Sequence, residues 1–283
     1  MGIGDFLRKY MRTEERVDAT SSGGDGLFSL GFDGLNTNEW LPVDLDADRL
    51  GDLSNLPKSI PAGGQLIRTP SQLERPDDLL AWVSPEPADH TEWWYQLAGR
   101  FGKTGLWPVA TASIDEPWLS DDLVDVDDPG AEVDDILDEH YTPVLPEMPD
   151  RWPGLASYHR HQGPTAVQPP NEELFLALVP ALCPADVPAN IGWNGAVNHE
   201  LHGGHVSTVL RSWEERFGAV LVEIGANTLK LTVARRPQTT EQAHLLVNEH
   251  AAFCPENLAN GNHTYDEYAD LLLDAEEWHF YWS

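Results

Sequence analysis

Ser212-Trp213-Glu214-Glu215-Arg216-Phe217-Gly218, continuing into Ala219-Val220-Leu221-Val222-Glu223-Ile224, decides how this chain reads as a fold. Val209, Leu210, Trp213 and Phe217 recur at helical spacing and give one apolar face. Gly218 stands where a helix end needs a residue that tolerates the left-handed cap conformation. The apolar run 219–224 and its neighbour 228–233 flank Gly225-Ala226-Asn227, which predicts two strands and a tight turn. A second helix is expected over 240–253, capped by Thr239 or Thr240, with Glu241 in its first turn and Pro255 as its stop. A third, over 265–273, leads into the aromatic end Trp278-His279-Phe280-Tyr281-Trp282. The expected fold class is α+β: a mixed sheet with flanking helices, ending in a helix, hairpin, helix, helix, strand unit.

Outward from this unit, 174–180 reads as a buried strand, 184–188 as a short helix start and Gly192-Trp193 as a turn. Residues 79–84 read as a strand. A helix over 88–101 carries Trp93, Trp94, Leu97 and Phe101, and a second strand follows at 104–110. Strand, helix, strand in that order allows parallel pairing. The proline-rich stretch 143–170, with Arg151-Trp152-Pro153-Gly154-Leu155, reads as a crossing loop or a linker. Residues 3–17 place Ile3, Phe6, Leu7, Tyr10 and Met11 on one helical face and add Arg8, Lys9, Arg12 and Arg16. A docking or membrane-surface helix and a simple terminal appendage are both open there. The organisation expected is a basic N-terminal helix and Gly/Ser linker over 1–26. An N-terminal α/β region then covers 27–170, with an acidic insert at 115–139, and a C-terminal domain covers 171–283.

Composition narrows the function classes. Eleven Trp and 41% hydrophobic residues suffice for a core. No stretch approaches the ~20 apolar residues of a membrane span. Residues 1–10 lack the apolar segment of a signal peptide, and two cysteines do not make a disulfide framework, so a cytoplasmic protein is expected. The net charge is −30, from 47 acidic and 17 basic side chains. Such a surface repels nucleic-acid phosphates and anionic lipid and attracts basic partners or cations.

Several short motifs resemble one family. Leu176-Ala177-Leu178-Val179-Pro180, Gly192-Trp193, Leu210 to Gly218, Phe253-Cys254-Pro255-Glu256-Asn257 and the Trp-rich end are similar to the bacterial domain-of-unknown-function family 4253. Trp82-Val83-Ser84, Thr104-Gly105-Leu106-Trp107-Pro108 and Trp152-Pro153-Gly154-Leu155 look like the N-terminal half of the same proteins. The resemblance spans about residues 60–283. It implies an actinomycete-type bacterial protein and brings no activity with it.

Four constellations could carry chemistry or bind a ligand. His199, Glu200, His202 and His205 offer three imidazoles and a carboxylate, the donors a divalent metal such as zinc requires. The spacing is not His-Glu-x-x-His, and Gly203-Gly204 argues against one rigid helix. His159 and His161 could join only through the fold. Cys254 lies one helical turn after His250, so a base-activated thiol and a buried core cysteine are both readable. Asp89-His90-Thr91-Glu92 reads as an acid–base cluster or as a helix start. Trp213, Phe217, Trp278, Phe280 and Trp282 read as core or as a ligand pocket. No phosphate-binding glycine loop, nucleophile elbow or zinc-type cysteine pair occurs.

The acidic run holds twelve Asp or Glu among residues 115–139, with no Lys or Arg between Lys103 and Arg151. It can be a solvated surface, a docking face for a basic protein, or an imitation of the DNA backbone. The function expected is binding, without catalytic residues or cofactor, of a basic protein partner, in an immunity-like or regulatory adaptor role. Asp121, Asp122, Asp125, Asp127, Asp128, Asp134, Asp135, Asp138 and Glu139 would form the face. The alternatives are a metal-dependent hydrolase built on the histidine cluster and an acidic DNA-mimic inhibitor.

Overall fold

The computed structural model describes residues 51–54, 56–58, 60–68, 79–112, 132–157, 172–259 and 263–283. Among these residues seven strands form one mixed sheet: β1 (Gln65–Arg68), β2 (Leu79–Val83), β3 (Leu106–Thr111), β4 (Phe175–Pro180), β5 (Ala219–Ile224), β6 (Thr228–Val233) and β7 (Glu277–Tyr281). Their spatial order is β1-β2-β4-β3-β5-β6-β7. Neighbours are antiparallel except β3 and β5, which run parallel and meet at Ala110 and Glu223. Among the described residues the helices are α1 (Thr91–Ala98), α2 (Phe101–Thr104), α3 (Val133–His140), α4 (Val187–Asn190), α5 (Gly203–Phe217), α6 (Thr240–Phe253), α7 (Glu256–Ala259) and α8 (Tyr265–Asp274). The α+β class is the one the sequence predicts, and the predicted C-terminal elements occur in the predicted order with the short helix α7 added among them.

Local chemistry explains the element ends. Gly218 closes α5 at φ 56°, and its N–H donates to Glu214 O at 2.9 Å. Any side chain there would be strained, and its Cβ would lie 2.7 Å from Ala234 Cβ. Thr239 caps α6 by accepting from Gln242 N at 3.1 Å. Thr264 and Glu267 exchange side-chain and backbone bonds at the start of α8, a reciprocal cap that satisfies two free helix-end amides.

Three local expectations change. The strands at 79–84 and 104–110 point the same way but do not pair. β4 lies between β2 and β3 and is antiparallel to both, with six register pairs to β3. β4 is apolar throughout and its centre is buried, so it needs partners on both edges. The helix expected over 88–101 breaks at Gly99-Arg100 into α1 and α2, consistent with glycine's poor helix propensity. Pro255-Glu256-Asn257 does not simply turn: α7 begins at Glu256, because proline suits the entry of a helix as well as it stops one. The 3–17 helix, the 21–26 linker, residues 115–131 of the acidic run, and His159 and His161 lie outside the described residues.

One continuous core runs from Leu53 to Trp282. Its densest part surrounds Trp213, fully buried on α5. The Trp213 ring meets His250 and Phe253 of α6 at centroid distances of 5.0 and 4.9 Å, and stacks on Phe280 of β7 at 5.3 Å. These aromatic residues therefore form the core between helices and sheet. No described helix is long and apolar enough to cross a membrane.

Candidate functional site

The pairing of Cys254 with His250 does not form. Cys254 Sγ donates to Tyr281 O at 3.1 Å, and His250 Nδ1 lies 3.1 Å from Tyr268 Oη. Burial pushes the Cys254 thiol up to about 12, while burial and then the Arg216 charge push His250 down to about 3. Both are neutral at physiological pH, and burial disfavours exactly the charged forms a thiolate–imidazolium pair needs. Their role is architectural. Cys254 and Asn257, whose Nδ2 donates to His279 O at 2.8 Å, occupy two carbonyls of β7. Asp89-His90-Thr91-Glu92 is a helix start: Asp89 Oδ1 accepts from Thr91 N at 3.0 Å, and that bond holds the Asp89 carboxyl below its usual range.

The histidine cluster is divided by the backbone. Val197–His199 forms a 3-10 turn, Glu200 adopts the left-handed conformation at φ 59°, and His202 precedes the first residue of α5. His199 Nε2 reaches Glu256 Oε1 at 2.9 Å, away from its sequence neighbours. His202 and His205 rings are 5.8 Å apart, and His205 is 6.3 Å from His140 of α3. Among the described residues no group of three or more His, Cys, Asp or Glu is placed to hold a metal ion.

Four of the carboxylates expected in the acidic face lie on α3. Ile136 and Leu137 bury one side of α3 against α5 and α6, while Asp134, Asp135, Asp138 and Glu139 are exposed. Trp152 Nε1 donates to Asp134 Oδ1 at 2.9 Å and packs on Tyr141, so this helix is tied down at both ends of its exposed side. Asp121, Asp122, Asp125, Asp127 and Asp128 lie outside the described residues.

A groove of about 630 Å³ lies between α8 and the sheet's edge strand β7. Tyr268, Leu271 and Leu272 come from α8, and Trp278 and Tyr281 from β7. Glu256, Asp274 and Glu277 stand around them, and among the described residues no Lys or Arg lines the groove. Leu271 and Tyr281 are 48% and 50% exposed, the two most exposed large apolar side chains among the described residues. The groove follows from local periodicity. Three successive leucines, 271–273, span too wide an arc of a helix for all to face the core, and Leu271 points out. Along β7 alternate residues Trp278 and Phe280 are buried, which turns His279 and Tyr281 outward. That signal was present in the sequence, but the adjacency of α8 and β7 was not.

Residues 175–283 match the family model described as domain of unknown function (DUF4253). The match is narrower than the span of about 60–283 carried by the sequence resemblance, and it covers β4 to β7. No curated protein and no solved structure matches the chain.

Proposed function

We propose that this protein acts by binding a basic protein partner. The observation that supports the reading is α3, a helix anchored by Ile136 and Leu137 that offers Asp134, Asp135, Asp138 and Glu139 to solvent in a chain of net charge −30. A fixed, single-sign surface accelerates encounter with an opposite charge and disfavours acidic partners. A regulatory or neutralising adaptor role follows from whichever protein is captured.

The test is affinity capture from host lysate, with the wild-type chain and with Asp135→Asn/Asp138→Asn/Glu139→Gln as bait. Asp134 is kept because it holds Trp152. The expected result is one basic protein recovered in near-equimolar amount, lost with the variant and weakened by added salt. An acidic partner whose retention ignores salt would refute the reading. A captured nucleic-acid enzyme that DNA displaces would turn it into the DNA-mimic form.

A further inference from the structure

The groove between α8 and β7 combines three features. Its floor is apolar and open, since Leu271 and Tyr281 are half exposed beside Tyr268 and Trp278. Its rim is acidic. Lys230 Nζ offsets Glu277 at 3.1 Å, and His199 contacts Glu256 at 2.9 Å, whereas the Asp274 carboxylate makes no ion pair among the described residues. Arg236 reaches only the Asp274 backbone oxygen, at 2.8 Å. Finally, its wall is already closed to strand addition at two points: Asn257 takes the His279 carbonyl and Cys254 the Tyr281 carbonyl. A ligand here is therefore read mainly by its side chains rather than by extending the sheet.

We infer that this groove docks a short segment of a partner protein carrying apolar side chains on one side and Lys or Arg on the other. The inference rests on the reading of the protein as a binder of a basic partner, and it names a second contact, distinct from α3. Apolar side chains would cover Leu271 and Tyr281, removing from water the two most exposed large apolar side chains among the described residues. Cationic side chains would meet Asp274 and Glu256 at the rim, and the aromatic faces of Tyr268 and Tyr281 attract the same charge. A volume near 630 Å³ suits a few side chains of one segment, not a broad protein face. In an extended segment the two chemistries fall on opposite sides when they alternate in sequence.

The test uses the full chain and a fluorescein-labelled decapeptide of alternating lysine and leucine, followed by fluorescence anisotropy at near-physiological salt, ~0.15 M. A lysine–serine decapeptide reports charge alone. The expected result is saturable, equimolar binding of the lysine–leucine peptide, about tenfold tighter than the lysine–serine peptide. Leu271→Ser and Tyr281→Ser, both at exposed positions, should each weaken it several-fold, and together about tenfold. Asp135→Asn/Asp138→Asn/Glu139→Gln should leave it within about twofold.

Equal affinity for the two peptides, or indifference to the Leu271 and Tyr281 replacements, overturns the groove. If the α3 variant still abolishes capture of a basic protein, the broader reading stands without it. If a synthetic peptide of residues 1–17 displaces the probe at lower concentration than the unlabelled probe does, the occupant is this chain's own N-terminal segment, and the partner-segment inference is overturned.

Discussion

Helix α5 carries two arginine–carboxylate clusters of opposite balance. Arg216 faces Glu249 of α6, which is fully buried, through bonds of 2.7 and 2.5 Å. The same carboxylate accepts from Trp213 Nε1 at 2.8 Å and Ala156 N at 2.7 Å, and Arg216 also donates to Ala156 O at 3.0 Å. One positive charge meets one negative charge, and both carboxylate oxygens are occupied. Arg211, by contrast, reaches Asp186 at 2.5 Å while remaining 44% exposed, and a second carboxylate, Glu214, lies buried in the same neighbourhood. Asp186 also accepts from Cys183 Sγ and N, at 3.0 and 3.2 Å. Burial first, and then the Asp186 charge, push the Glu214 carboxyl up to about 8. A balanced pair can be sealed in the core, whereas an excess of one sign is relieved by keeping a proton.

The largest test of this contrast removes the counter-charge from the sealed pair. Glu249→Gln leaves Arg216, whose side chain is 13% exposed, without an anion. The expected loss is about 3–5 kcal/mol in urea unfolding, because breaking a buried pair strands the remaining charge. A loss below ~1 kcal/mol would show that the pair is not a desolvated unit.

The overloaded cluster predicts a pH signature. The folded-state pKa of Glu214, about 8, lies above the unfolded value of 4.5. The stability it contributes is therefore complete below pH 4.5 and is lost as pH rises through about 8. His250 works in the opposite sense. Its folded value of about 3 lies below 6.5, so its contribution is present above pH 6.5 and is lost as pH falls towards 3. The two windows overlap between pH 4.5 and 6.5, where the opposing slopes cancel, so the wild type should be most stable there. Glu214→Gln should flatten the alkaline side and exceed the wild type above pH 8 by roughly 2–4 kcal/mol. Unchanged slopes from denaturant titrations across pH would mean that Glu214 is ionised in the folded protein.

The smallest expected effect belongs to Cys183. Burial, followed by the Glu214 and Asp186 charges, raises its thiol well above the ordinary range, so it acts as a weak hydrogen-bond donor. Cys183→Ala should cost about 1 kcal/mol, since Asp186 keeps Arg211 and the Cys183 amide as partners. Thiol labelling of the native wild type should be correspondingly slow. Rapid labelling at neutral pH would contradict this account.

The C-terminal elements were legible because their signals are local. The periodicity of 209–217, the glycine after it, the hairpin turn at 225–227 and the threonine before 240 each fix one element within a few residues of chain. The candidate groove was half legible, since Leu271 and Tyr281 stand on the outward side of their elements by periodicity alone. The histidine run shows the converse: residues adjacent in sequence are separated because the chain turns at Glu200 and restarts at Gly203.

By itself, the sequence determined the fold class, the main C-terminal helices and strands, and the net acidic charge, all set by local steric preferences and composition. The tertiary structure alone decided that β4 enters between β2 and β3 and that Glu249 closes on Arg216 rather than facing water. It also decided that His250 pairs with Tyr268 instead of Cys254, and that α8 stands beside β7 to make a groove. Each is a contact between residues distant in the chain. It is fixed by which apolar faces can be buried together and by which buried polar groups must then find partners, conditions that no local stretch contains.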